Sequence, residues 1–313
     1  MKPLAKIVVA CVLMSILLWL VDWQHAADVL HRLHWSVLVP VYGLMIFFLV
    51  LSTVKWSSAL RMHGLVYRFG YLFRVMCTGF FFNSFLPTAV GGDAYRVYRT
   101  LPAEGYRSTA LSAVLVERLT GFAALLTLGA VGAVLLLETP IAQLYLVVYL
   151  AGGVAGLAGL AMLWAGWFAP LARRLGHLKA VDALLHNIGH LARARRGWVE
   201  QAIISFVFQG LSIGLVFWLF VLLGHPVDFW QCALITAAAG IASFLPLSIA
   251  GIGVMEGSIV AMAVALGIGY DEALLVALLR RFLTLALSLL CGLVFLAESR
   301  RDEITAAAAR GTL

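Results

Sequence analysis

Six long apolar runs, at about 4–21, 36–60, 108–137, 141–167, 198–223 and 273–297, constrain this chain more than any short motif does. A helix needs about 20 apolar residues to cross the roughly 30 Å hydrocarbon layer of a bilayer. Continuous runs of that order are helical spans, because strands of a membrane barrel alternate apolar and polar residues. With 63% hydrophobic and 12% charged residues, against about 45–50% and 25% in soluble domains, the chain reads as an all-α polytopic membrane protein. One integral membrane domain is expected over residues 1–313. Lys2 and Lys6 precede the first run, as in a signal peptide, but Trp19 and Trp23 suit an interfacial belt and Ala26-Ala27 is a poor cleavage site. A retained first helix is expected.

Two further apolar stretches, about 69–100 and 229–268, are broken: "FLPTAVGGD" at 85–93 and "FLPLSIAGIGVME" at 244–256. The positive-inside rule fixes how they must run. With the N-terminus cytoplasmic, 17 of the 22 lysines and arginines fall on the cytoplasmic side. Arg32 alone lies in an outer loop, while Lys55, Arg118, Arg280 and Arg281 fall within spans. This count holds only if each broken stretch returns to the side it entered from, the first from the cytoplasm and the second from outside. The helix after each carries a charged pair, Glu117-Arg118 in "LVERLTG" and Arg280-Arg281 in "LLRRFLT". Six full spans plus two re-entrant hairpins related as an inverted repeat are therefore expected, with halves at about 36–137 and 198–297. Such a design puts a substrate site near the midplane, where the broken helices meet.

Pro87 and Pro246 remove backbone donors, and Gly91, Gly92, Gly251 and Gly253 allow angles that other residues resist. Irregular backbone at membrane depth survives only inside protein or along a wet cavity. A half-helix that begins there presents free N–H groups to an anion. Asp93, Arg96 and Arg99 follow the first break and Glu256 the second. Charges within a membrane usually face the bundle interior and pair, and guanidinium groups hold phosphate bidentately. Arg96, Arg118 and Arg281 are read as headgroup ligands. Asp93 and Glu256 would balance them, meet a cationic part of the substrate, or couple transport. The plainer alternatives are surface loop charges for Asp93, Arg96 and Arg99, and a structural ion pair for Glu256 and Arg281.

"NSFLPTAVGGDAYRVYR", "ERLTG", "GIGVMEG" and "LLRRF" together resemble the lysylphosphatidylglycerol synthase transmembrane family, over about residues 5–298. The resemblance implies a helical bundle with re-entrant segments that moves or handles a polar lipid, as a stand-alone, flippase-like protein of the bacterial inner membrane with both termini cytoplasmic. It points to Asn83, Pro87, Gly91, Gly92, Asp93, Arg96, Glu117, Arg118, Gly251, Gly253, Glu256 and Arg281; Arg280 joins them as the neighbour of Arg281. Full-length synthases continue into a soluble aminoacyl-transferase domain. Here about seventeen residues follow Leu296, so lysine transfer is not expected and a phospholipid or glycolipid partner is. A membrane-embedded lipid-modifying transferase and a non-transporting accessory subunit are the alternatives. The chain shows no catalytic constellation and no sign of a cofactor.

Residues 171–196 carry leucines at helical spacing among arginines and histidines, an amphipathic segment expected on the cytoplasmic leaflet. His186 and His190 lack a third ligand, so no metal is expected. Gly152, Gly156 and Gly159 suit close helix packing. Cys11, Cys77, Cys232 and Cys291 lie apart in apolar segments, as packing residues do. The charge of +7 reports orientation, not nucleic-acid binding.

Overall fold

A computed structural model describes residues 38–85, 91–101, 108–164, 194–243 and 252–311. These form helices α1 (Leu38–Met62), α2 (Phe69–Phe85), α3 (Gly91–Arg99), α4 (Ser108–Leu135), α5 (Pro140–Trp164), α6 (Arg195–Leu222), α7 (Phe229–Ser243), α8 (Val254–Ala265) and α9 (Tyr270–Gly311). The expected run at 4–21, most of the amphipathic segment 171–196, Pro87, Pro246 and Gly251 lie outside the described residues.

Among the described residues, four helices are long and apolar enough to cross a bilayer: Val39–Met62, Thr109–Leu135, Arg195–Leu222 and Tyr270–Ala297. Leucines and phenylalanines such as Leu119, Phe282 and Leu293 remain about 60% exposed on their outer faces. In water such a surface would aggregate; in lipid it is the solvent-facing side. By contrast α7 and α8, with 15 and 12 residues, span only about 22 and 18 Å at 1.5 Å per residue.

The expected run at 36–60 ends two residues later, at Met62, where the chain turns through Gly64 at φ +76°. The Gly64 and Leu65 N–H groups donate to the Arg61 and Leu60 carbonyls, both at 3.0 Å. This Schellman turn satisfies carbonyls that the helix end leaves open. An identical turn ends α6, with Gly224 at φ +82° and the Gly224 and His225 N–H groups on the Val221 and Phe220 carbonyls.

α2 and α3 form an antiparallel hairpin. The Gly92 N–H donates to Asn83 Oδ1 at 2.8 Å near its tip, and the Tyr71 hydroxyl donates to the Arg99 carbonyl at 2.6 Å near its base. α3 thus ends beside the start of α2. In the second half, His225 ahead of α7 lies 3.4 Å from Glu272 at the start of α9, so the chain leaving α8 also comes back to the level at which α7 began.

The helix packing follows a paired scheme. α1 packs on α2, α4 and α6; α6 packs on α7, α9 and α1. α2 packs on α3 and α9, while α7 packs on α8 and α4. α3 meets α4 as α8 meets α9, and α4 meets α6 as α9 meets α1. The core at these crossings is formed by Trp56, Leu60, Leu72, Ile213, Phe220 and Leu283, all fully buried.

Candidate functional site

The charged pairs on α4 and α9 sit about ten residues inside their helices, about 15 Å from each start. Neither can reach water by snorkelling to the near interface, and a short helix packed beside each supplies an acid to an arginine of the pair.

On α4 the partner is α3. Its close approach to α2 depends on Gly92: a Cβ there would lie 1.9 Å from the Gly79 carbonyl oxygen. That contact brings Asp93 and Arg96 against α4. Arg118 donates to Asp93 from Nε and Nη2, both at 3.0 Å, as a two-pronged pair. Arg96 donates to Asp93 at 3.2 Å and to Glu117. Its guanidinium lies over the Trp56 ring, 4.4 Å from the centroid, a cation–π contact in a buried setting. Lys55 of α1, only 5% exposed, brings its ammonium over Gly121 of α4. The cluster therefore holds three cations and two carboxylates.

On α9 the partner is α8. Gly253, at φ +81°, is the N-cap of α8, and its N–H donates to Glu256 Oε2 at 2.7 Å. The other oxygen of Glu256 accepts from Arg281 Nε. Arg280 lies alongside, and its Nη1 is buried with no hydrogen-bond partner among the described residues.

Glu256, Arg280 and Arg281 line a cavity of about 270 Å³. Its remaining polar lining is Ser52, Ser212 and Thr284; the rest is apolar, with Met45, Phe48, Met76, Phe80, Phe208 and Met255 prominent. The cavity lies between α1, α2, α6, α8 and α9. It has the composition of a ligand site, mostly apolar with a few convergent polar groups.

The structure thus divides the residues singled out from sequence into two groups. Glu256, Arg280 and Arg281 share the cavity. Asp93, Arg96, Glu117 and Arg118 form the ion cluster on α3 and α4 and do not line it. Asn83 ties α2 to the Gly92 N–H in the first turn of α3. Gly91 begins α3, and Gly253 caps α8. Arg99 is placed over the Tyr71 and Tyr95 rings, at 5.7 and 5.8 Å. The two groups are close in sequence terms: Ser52 on the cavity wall is one turn of α1 from Lys55.

Sequence reasoning passed over Lys55 as a site residue, although a charge seven residues inside the end of a 24-residue span, deeper than Arg61 at its edge, is itself a signal. It also had no means of choosing the cavity's apolar wall. Methionine and phenylalanine facing lipid and those facing a cavity read alike. Among the described residues no three His, Cys, Asp or Glu side chains are grouped as a metal site.

A sequence model of the lysylphosphatidylglycerol synthase transmembrane region matches residues 4–292. The UPF0104 membrane protein PH1989 of Pyrococcus horikoshii is 23% identical to the chain, over 96% of this chain and 98% of that protein. No solved structure matches. The apolar helices, the paired intramembrane charges and the match over nearly the whole length make this a multi-pass membrane protein, and it belongs to the lysylphosphatidylglycerol synthase transmembrane-region family.

Proposed function

We propose that this protein is a lipid flippase of the bacterial inner membrane, moving a polar headgroup between leaflets while the acyl chains stay in lipid. One observation carries the reading: a cavity of about 270 Å³ within the bundle, lined mostly by apolar side chains, whose charged residues are Glu256, Arg280 and Arg281. A headgroup crossing the bilayer needs such a place to exchange its water for fixed charges and hydroxyls.

The paired packing scheme supports an inverted repeat, with α1–α4 as one unit and α6–α9 as the other. In each unit an acid in the first turn of the short helix binds an arginine 25 residues later, Asp93 to Arg118 and Glu256 to Arg281. The turn that starts one hairpin lies near Arg61 and Arg68, and its counterpart lies near His225 and Asp228. On this reading α2–α3 is re-entrant from the basic, cytoplasmic side and α7–α8 from the outer side. Rocking of one unit against the other then alternates access to the charged residues of the cavity.

Reconstitution tests this. Proteoliposomes carrying a headgroup-labelled fluorescent phospholipid are treated with a membrane-impermeant reductant. Transport predicts that label beyond the outer leaflet is quenched, with the lipid chemically unchanged. A protected inner-leaflet fraction equal to that of protein-free liposomes, across several headgroups, overturns the proposal. Recovery of a chemically altered lipid would instead make the protein a transferase.

A further inference from the structure

We infer that the cavity selects its lipid by charge, and that the selected headgroup carries one net negative charge, as a phosphodiester does. This rests on the reading of the cavity as a lipid site. Three ionised side chains line it, Glu256, Arg280 and Arg281. Both oxygens of Glu256 already have a partner, one the Gly253 N–H and the other Arg281, whose charge Glu256 balances. The remaining cation is Arg280, whose Nη1 is buried and unmatched among the described residues. A buried charge without a partner is costly, and arginine cannot shed its proton to escape that cost.

One singly charged anion therefore brings the cavity to neutrality. A dianionic phosphomonoester would leave a surplus negative charge facing Glu256. A cationic headgroup would face Arg280 directly. Ser52 and Ser212 offer hydroxyl donors to the remaining phosphate oxygens, while the Thr284 hydroxyl is held on the Arg280 carbonyl at 2.8 Å. The surrounding methionines and phenylalanines favour a lipid over free phosphate, because they contribute apolar contact that an inorganic ion cannot use. The ion cluster on α3 and α4 also has one surplus cation, Lys55. Lys55 lies outside the cavity lining and adds nothing to the tally at its surface.

The test is lipid retention by the full chain in nanodiscs or detergent, read by native mass spectrometry with phosphatidylglycerol, phosphatidylcholine and phosphatidic acid in equal amounts. Phosphatidylglycerol is expected to exceed each of the others by about tenfold, the size of one charge-assisted hydrogen bond. Arg280→Gln should reduce phosphatidylglycerol to the level of phosphatidylcholine. Glu256→Gln, which adds a net positive charge, should raise phosphatidic acid above phosphatidylglycerol. Arg280→Lys keeps the charge and should keep the wild-type order, which separates loss of charge from loss of fold.

Equal retention of the three lipids by wild type overturns the inference. So does an unchanged order in Arg280→Gln, or a lost order in Arg280→Lys. Displacement of phosphatidylglycerol by millimolar inorganic phosphate would show a free-anion site and overturn the lipid assignment. Retention is measured without transport. Selectivity without flipping would therefore sink the proposed activity and leave the charge rule standing, while flipping without selectivity would do the reverse.

Discussion

Replacing Gly92 by alanine should separate the α2–α3 hairpin and with it the first ion cluster. The added Cβ would fall 1.9 Å from the Gly79 carbonyl oxygen and 2.7 Å from the Asn83 amide carbon. Both obstacles are held by α2, and the nearer is backbone, so no rotamer change relieves the clash. The two helices must part by about 1.5 Å before an ordinary contact is restored. Overpacking of this kind costs about 1–3 kcal/mol. The Gly92 N–H to Asn83 bond stretches as well, adding about 1 kcal/mol. Asp93 is the next residue, so its two-pronged bond to Arg118 moves with it. A total of about 2–4 kcal/mol is expected from these parts.

Two further substitutions grade the effect. A Cβ at Gly79 would meet Arg96 Cγ and the Gly92 oxygen at 3.1 Å, a tight but yielding contact. A Cβ at Gly214, within α6, meets nothing within 4 Å. There alanine should be neutral or stabilise by up to about 1 kcal/mol through helix propensity. Thermal unfolding of the purified protein in one detergent should rank Gly214→Ala at or above wild type, then Gly79→Ala, then Gly92→Ala lowest. Gly92→Ala melting with wild type would refute the packing argument outright, whatever the other two do.

Arg96 and Glu117 are almost fully buried and bonded to each other. Removing either alone should therefore cost about 3–5 kcal/mol, and Arg96→Met with Glu117→Leu together less than the sum of the singles. A double-mutant cycle of unfolding free energies checks this, and additive losses would mean the pair is not coupled. Lys55→Met removes the surplus cation of that cluster and keeps most of the side chain's unbranched stem. Stability should hold or rise, and a loss above about 2 kcal/mol would show that Lys55 is a needed partner of Glu117. His63, in the turn after α1, places its two ring nitrogens at 2.8 Å from the Ala59 carbonyl and the Ser112 hydroxyl. Burial lowers its pKa from 6.5. The neutral ring is thus the form the fold favours. Its contribution is complete above pH 6.5 and declines as the pH falls below that, toward the depressed native value. Unfolding measured between pH 7.5 and 5 should show this decline in wild type and less of it in His63→Gln.

Sequence alone determined the class, the four long spans among the described residues and the places where two apolar stretches break. A predominantly apolar run near 20 residues is a one-dimensional property, and the cost of open backbone in lipid leaves it only the helical form. The expected runs at 36–60, 108–137, 198–223 and 273–297 therefore coincide closely with α1, α4, α6 and the membrane part of α9. The acids and arginines beside the breaks were visible for the same reason, because a charge in an apolar run needs a partner.

Which partner each one takes was decided by the fold. Glu117 and Arg118 are neighbours in the chain, yet α4 turns about 100° between them, so one meets Arg96 and the other Asp93. Tertiary packing also drew Lys55 into the first cluster and left Arg280 at the wall of the cavity. Neither outcome could be read from spacing. The angle at which two helices cross sets whether a facing side chain fills a gap or borders one, and that angle depends on small residues such as Gly79 and Gly92 acting across the sequence.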